Sequence, residues 1–317
     1  MTAAEIVLAI PTYRRLPAIE AAVRACMPQV ASLEADTAGR ARASLLVVDN
    51  DPDASARDLI ASLGVRYVHE PRPGIAAVRN RAIAEAGRAH AIVFIDDDEV
   101  AEPRWLKELV EQYLRTGADA VAGKVLTVIP PDAEEWIQVS DAFVRPIRAD
   151  GQTLPEAASN NLLLDLATLR RLDLSFDEEF GLTGGSDSMI TRLLTRRGGV
   201  IRWAEHAVVV EQEDPQRFTR DWVLMRIFRF GNTSARVRIA LAKKTVFGVI
   251  RARGWALLAG VARLLGGSAR ALFGIAIRSL RLRAHGERTA ARGAGMIAAA
   301  VGYAHDEYGR RRRSGRM

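Results

Sequence analysis

The stretch AIVFIDDDEV, residues 91–100, sets Ala91, Ile92, Val93, Phe94 and Ile95 directly before Asp96, Asp97, Asp98 and Glu99. Crowded β-branched and aromatic residues without polar alternation read as a short strand buried on both faces, the habit of a parallel sheet. The four acids then gather at the strand's C-terminal end, and in an open α/β sheet that edge is where ligands bind. Four like charges so close repel one another. A divalent cation relieves the repulsion, since carboxylate oxygens are hard ligands; a solvated acidic loop is the other reading of these ten residues.

Upstream, apolar runs alternate with helical stretches. Residues 5–10 (EIVLAI), 44–49 (SLLVVD) and 65–69 (VRYVH) read as strands, and about 15–30, 54–63 and 75–87 as helices. Strands separated by helices imply a parallel sheet with crossover connections, a Rossmann-like α/β fold with flanking helices. Its strand ends bring PTYRR (11–15), DNDPD (49–53) and DDDE (96–99) to one edge. Downstream, a helix reaching Thr116 and a strand through DAVAGKVLTVI are expected. The proline-bearing segment 130–156 has no period and reads as a flexible or lid-like connection. Order resumes at SNNLLLDLATLRRL, and SMITRLLTRRGG reads as a helix closed by Gly198 and Gly199.

The chain has 317 residues, enough for one large or two ordinary domains at roughly 100 to 200 residues each. Its single cysteine, Cys26, excludes an internal disulfide framework and reads as a small buried residue on a helix. No basic stretch precedes the apolar run that Pro11 ends, so no secretory signal is expected. No uncharged apolar run reaches the roughly 18 residues of a spanning helix, so a conventional integral membrane protein is not expected either. The net charge of +7 hides an asymmetry. Beyond Asp214 stand 22 lysines and arginines against 4 acids, a balance of +18, which leaves −11 upstream.

Neither a phosphate loop, GxxxxGK[ST], nor a GxGxxG after the first strand is present, which argues against a P-loop NTPase and an ordinary dinucleotide dehydrogenase. A diphosphate on this rim needs a metal or arginine instead, and Arg79 in GIAAVRNRA offers a guanidinium. Taken together, IPTYRR, LLVVDND, PGIAAVRNRAIAEA, VFIDDDEVAEPRWL, SNNLLLDLATLRRL and FDEEFGLTGGSDSMITRLLTRRG follow the order of family 2 glycosyltransferases. The resemblance spans about residues 5–235 and is closest in kind to bacterial exopolysaccharide glucosyltransferases of the succinoglycan type.

That resemblance implies a GT-A fold in residues 1–235, with a basic helical tail over 236–317. It puts Asp96, Asp97 and Asp98 on the family's DxD element, Asp96 and Asp97 toward the nucleotide sugar and Asp98 on Mg²⁺ or Mn²⁺. Pro11, Thr12 and Tyr13, with Asp49, Asn50 and Asp51, fall where the family grips base and ribose, although Asn50 replaces the usual acid. Arg79 and Asn80 are expected on the diphosphate or sugar, an exposed helix face being the alternative. Asp187 matches the catalytic base, with Ser186 in place of the usual preceding Glu; as a structural residue it would cap a helix. His206 or Glu211 stands near a family metal-binding histidine.

The implied activity is that of an inverting hexosyltransferase, moving one sugar from a nucleotide-sugar donor, UDP-glucose being expected, to a lipid-linked saccharide. The QxxRW element of processive synthases is absent. A catalytically impaired nucleotide-sugar-binding or scaffold protein is the alternative that Ser186 and Asn50 motivate. In the tail, apolar runs interleave with Arg251, Arg253, Arg263, Arg270 and Arg278, the last three near one helix face. Such a segment suits an anionic membrane surface, here the inner face of the bacterial cytoplasmic membrane. Few aromatic residues stand among its basic ones, so nucleic acid is not the expected partner. A helical subdomain packed on the core is the rival reading, and the final GRRRRSGRM is expected to be disordered.

Overall fold

Every residue of Ala91–Ile95 is buried, and this strand (β4) pairs in parallel with the first strand, β1 (Ala4–Thr12), as its composition demands. The computed structural model describes residues 2–146, 148–212, 214–242 and 245–305. The run 309–317, Lys243 and Lys244 lie outside them. Along the chain, β1 leads through α1 (Leu16–Asp36) to β2 (Ala41–Asp49), through α2 (Arg57–Ser62) to β3 (Arg66–His69), and through α3 (Ile75–Ala86) to β4. All four strands are parallel, in the order β3-β2-β1-β4. Thr12 lies opposite Asp49, so the C-terminal ends of β1 and β2 are level.

Past β4 the sheet becomes mixed. Short β5 (Glu99–Ala101) and α4 (Trp105–Thr116) precede β6 (Ala120–Thr127), which does not join β4. The strand from SNNLLLD, β8 (Asn161–Asp165), inserts between them and runs antiparallel to both. After α6 (Leu166–Arg171) and α7 (Ser186–Arg196) comes β9 (Ile201–Glu211), parallel to β6 and antiparallel to β5 and to the two-residue β7 (Thr153–Leu154). Asn161 fixes this arrangement: its Oδ1 accepts from Trp105 Nε1 at 2.9 Å, and its Nδ2 donates to the carbonyls of Lys124 and Ala207, each at 2.9 Å. A buried amide with every capacity used specifies a register in a way that apolar contacts cannot. Cys26 is buried on α1, and its surroundings push the thiol up to about 12, so it is an inert core residue.

The chain forms two compact units. The sheet with its helices comprises 1–127, 145–182 and 186–212; the second unit comprises 128–144, 183–185 and 213 onward. The expected boundary at 235/236 falls inside one continuous helix, α8 (Arg220–Ala240). The first part of segment 130–156, expected as a flexible or lid-like connection, instead carries α5 (Glu135–Ser140), and Trp136, Ile137 and Phe143 join Phe218, Val223, Ile227 and Ala284 in a separate apolar cluster. Those partners lie far along the chain, so no local period announces them. Glu287 ties the cluster together, accepting from Trp136 Nε1 at 2.8 Å and from Arg220 Nε and Arg283 Nε at 2.9 Å each. Burial works against its charge, yet these donors hold its pKa down at about 2.

The rest of the second unit is α9 (Val246–Ala276) packed on α10 (Leu280–Ala300), with α10 also against α8. The turn between α9 and α10 contains Arg278 at φ 56°, so this residue lies outside the helix on which the sequence reading placed it. The buried side of α9 is Ala252, Ala256, Gly260, Gly267, Ala271 and Gly274. A Cβ on Gly267 would stand 2.4 Å from the Ala290 nitrogen, and one on Gly293 2.5 Å from the Gly260 carbonyl, so glycine is what lets the two backbones touch. The large apolar residues point outward: Leu258 is 74% exposed, and Leu265 and Leu272 are 66% exposed. By length and composition α9 is also apolar enough to cross a membrane, with a mean hydropathy of 1.3 over its best 18 residues. The reading of an uncharged run did not find it because that window tolerates arginine.

Candidate active site

The C-terminal ends of β1, β2 and β4 meet as the sequence motifs require. Thr12 is buried, and its Oγ1 donates to Asp97 Oδ2 at 2.8 Å. The chain turns at Arg14, whose φ of 55° is left-handed, and this aims the next two guanidinium groups back at the rim. Arg14 Nε donates to Asp51 Oδ1 at 2.9 Å, while Arg15 Nη1 reaches Asp97 Oδ1 at 3.0 Å and Asp98 Oδ2 at 2.6 Å. Arg15 is thus the main counter-charge of the acidic end. The sequence reading quoted it without giving it a role, because an arginine after a strand also fits a solvated loop.

Arg79 sits on the buried face of α3, not on an exposed one. Its Nη2 donates to Asp96 Oδ1 at 3.2 Å, its guanidinium lies 5.6 Å from the Phe176 ring centroid, and its Nε is buried without a hydrogen-bond partner. Glu99, also buried, accepts from Asn160 Nδ2 at 2.6 Å and faces Glu211 across the β5–β9 pair. Glu211 in turn accepts from Thr127 Oγ1 at 2.7 Å and Arg145 Nη2 at 3.2 Å. His206 is exposed in a bulge of β9, where the register with β6 jumps from Ala204 to Val208. Among the described residues no three His, Cys, Asp or Glu converge as a metal cage. Magnesium-type ions characteristically take one or two carboxylates and complete their shell with substrate phosphates and water, and the hard oxygens of Asp96 to Asp98 fit that pattern.

Three expected contact residues are engaged elsewhere. Asp49 accepts from the Asp51 and Ala56 amides and from the Tyr67 hydroxyl at 2.8, 3.0 and 3.1 Å. Asn50 donates to the carbonyls of Glu70 and Arg72 at 2.7 and 2.6 Å and accepts from the Gly74 amide at 3.0 Å. Asn80 exchanges a pair of bonds with the Phe176 backbone, at 2.8 and 2.9 Å. All three shape the rim. Gly74 meets a real constraint there, with φ 113° and a Cβ position 3.1 Å from the Gly181 carbonyl. Pro11 lies in β1 opposite Val48, and the Tyr13 ring is covered by Arg14 at 5.4 Å.

Asp187 is the second residue of α7 and not its cap, and its Oδ1 accepts from the Ser188 amide at 2.7 Å. Among the described residues no hydrogen bond joins it to the acids of β4. A cavity of about 320 Å³ is lined by Ser188, the sequence neighbour of Asp187, and by Asn160, which donates to Glu99.

A mixed α/β sheet with acids and arginines on its carboxyl edge defines the class of protein, a GT-A-type transferase fold. The glycosyl transferase family 2 model matches residues 7–165, half of the chain, and the chain belongs to that family. Succinoglycan biosynthesis protein ExoM of Rhizobium meliloti (strain 1021) is 34% identical over 208 residues, 62% of this chain and 66% of that protein's length. Among solved structures, a mannosyltransferase from Pyrobaculum calidifontis in complex with GDP-Man and Mn²⁺ superposes with a TM-score of 0.59 at 20% identity, over 93% of this chain and 86% of that one. TarS residues 1–349 of S. aureus superposes at 0.51 and 14% identity, over 89% and 90%. These structures share the fold.

Burial pushes Asp96 up to about 6, despite Arg79, and Asp98 and Asp97 add to the rise; Asp97 is raised too, and Glu99 lies well above the usual carboxylate range through burial and the charge of Asp96. Asp51 and Glu70 move the other way: burial opposes both, but Ser55, the Asp53 amide and Arg14 together outweigh it at Asp51, and Arg72 does so at Glu70. An acid lowered on folding stabilises the fold above its unfolded value near 4 and loses that contribution as pH falls through its folded value. An acid raised on folding opposes folding increasingly as pH climbs from about 4 through its folded value. The thermal midpoint of the full chain should therefore be highest near pH 5 and decline as pH rises toward 8. Scanning fluorimetry across pH 4 to 8 checks this, and a midpoint still rising at pH 8 contradicts it.

Proposed function

We propose that this chain is an inverting, metal-dependent hexosyltransferase that moves one sugar from a nucleotide-sugar donor to a lipid-linked saccharide during exopolysaccharide assembly. The observation that carries the reading is the acidic end of β4, held by Thr12, Arg15 and Arg79 at the sheet edge where nucleotides bind. The ExoM relative supports polysaccharide assembly, and the mannosyltransferase complex supports a nucleotide sugar and a divalent ion. UDP-glucose is the donor to test first. A glycosyltransferase domain over 1–235 with a membrane-directed tail remains the functional division, although the compact units divide elsewhere.

In this mechanism Asp187 takes the proton from an acceptor hydroxyl as that oxygen bonds the donor's anomeric carbon from the face opposite the nucleotide, and the bond to the diphosphate breaks. Mg²⁺ or Mn²⁺ on Asp98 would neutralise the charge that develops on the departing diphosphate. Arg15 shares Asp98 Oδ2, so its guanidinium is placed to turn toward the diphosphate. Arg79 keeps Asp96 oriented, and Asp97 is fixed by Thr12. Asp187 stands in the first turn of α7. Neither Glu211, already paired with Arg145, nor exposed His206 is needed as a further ligand. The alternative of an impaired binding protein loses one motive, because Asn50 is engaged with the loop above β3 and its substitution need not disable donor chemistry.

The α9–α10 hairpin supports the membrane part of the reading. Glycine and alanine face inward while leucine, phenylalanine and isoleucine face outward, the arrangement of helices that pack in lipid by close backbone contact. Arg251, Arg253, Arg263 and Arg270 are exposed on the same helix and suit an anionic headgroup layer. The helix would lie in the interface of the inner leaflet, since arginine at a bilayer centre costs about 2.5 to 3.5 kcal/mol even on the most lenient scale.

Two outcomes test these parts separately. Asp187→Asn should keep UDP affinity and the first turn of α7 but reduce sugar transfer by about 10² to 10⁴, the range of a general base; near-normal transfer would leave Asp187 a structural residue. Vesicles containing phosphatidylglycerol should carry the full chain in a flotation assay, and the triple change Leu258→Ser, Leu265→Ser, Leu272→Ser should weaken binding at least about tenfold, given about 1.5 to 3 kcal/mol for each fully buried leucine. Binding should fall as salt screens the arginines, without vanishing. A wild-type chain that ignores these vesicles overturns the membrane reading.

A further inference from the structure

The cavity lined by Ser188 and Asn160 has a charge pattern that the proposed reaction does not itself require. Its floor is Gly123 of β6 and Trp203 of β9, and its wall includes Arg145, Arg148 and Glu156. Glu156 is neutralised by Arg192, whose Nη2 donates to its Oε1 at 2.9 Å, and Arg145 is paired with Glu211. Arg148 is different. Its guanidinium lies 5.7 Å from the Trp203 ring centroid, and among the described residues it has no carboxylate partner. A guanidinium held on an aromatic face is oriented without being neutralised, and its planar array of donors matches a carboxylate or a phosphate.

The size and place of the cavity indicate which substrate would meet that charge. About 320 Å³ is at the lower end of small-molecule clefts, which run from roughly 300 to 1,000 Å³. Ser188, next to the base in sequence, and Asn160, bonded to Glu99, lie in its lining, so a sugar seated there meets direct neighbours of both Asp187 and Glu99. Trp203 supplies an apolar surface for a pyranose ring, and Arg148 supplies a positive group beside it. We infer that this cavity is the acceptor subsite, and that Arg148 makes it selective for an acceptor unit bearing an anionic group, carboxylate or phosphate, close to the sugar ring. The inference rests on the transferase reading of Asp187 and β4, and it assigns Arg148 to specificity and not to the bond-making step.

The test measures binding of methyl β-D-glucuronide, glucose 6-phosphate and neutral methyl β-D-glucoside to the full chain by ligand-observed NMR, with UDP and Mn²⁺ affinity followed on the same samples. One of the two anionic sugars should bind at least about tenfold more tightly than the glucoside, and which of them does so distinguishes a carboxylate from a phosphate. Arg148→Gln should erase the preference while leaving UDP affinity unchanged, and Arg148→Lys should restore part of it. Equal binding of all three sugars, no sugar binding, or a preference that survives Arg148→Gln overturns the inference. If UDP itself fails to bind, the transferase reading falls with it; if UDP binds and the anionic preference is missing, only the acceptor assignment falls.

Discussion

Crowded negative charge at the end of a buried strand is the constraint on which the sheet unit depends. β4 has no exposed residue, Asp97 and Glu99 beyond it are buried and Asp96 and Asp98 half-buried, and burial raises Asp96, Asp97 and Glu99 against ionisation. The surrounding elements supply the compensation. β1 ends in Thr12 and turns at Arg14 so that Arg15 reaches two of the acids, α3 carries Arg79 beneath Asp96, and the loop before β8 sends Asn160 to Glu99. The polar residues of β2 hold those elements in place: Asp49 and Asn50 clip the loops that set the position of α3. Arginine offsets this acidic end only in part.

The second unit solves a different problem. A helical hairpin in water would turn leucine inward and leave small or charged residues outside. Here glycine and alanine line the contact between α9 and α10, and the bulky apolar side chains lie outside. Close backbone packing gives the hairpin a rigid core of its own, and the outward leucines and phenylalanines become available to a lipid phase. Glu287, held down at about 2 by Arg220, Arg283 and Trp136, anchors the hairpin to α5 and α8 through charge-assisted bonds that need no large apolar interior.

The first hundred residues were legible because their information is local. Runs of β-branched residues, helical spacing and polar strand ends each state their element within a few positions, and Thr12, Asp51 and Asp97 duly meet on one edge. What the sequence did not disclose depends on remote partners. The antiparallel insertion of β8 follows from Asn161 binding Trp105, Lys124 and Ala207, and α5 is fixed by Phe218 and Ile227. Family-like motifs also marked residues more readily than they separated roles, since Asn50 and Asn80 sit at the rim yet hold backbone. Arg15 and Arg148 went unassigned because an arginine's partner cannot be read from its neighbours along the chain.

The central claim is that Asp98, at the acidic end of β4, couples nucleotide binding to a divalent ion. It is tested most directly by calorimetric titration of UDP into the full chain with Mn²⁺ and with EDTA, in the wild type and in Asp98→Ala. The account predicts that EDTA weakens wild-type binding at least about tenfold, as loss of the ion's bridge between carboxylate and phosphate requires, and that Asp98→Ala binds equally weakly in both conditions. Wild-type affinity that is the same with Mn²⁺ and EDTA, or an Asp98→Ala chain that keeps the full Mn²⁺ effect, would contradict it.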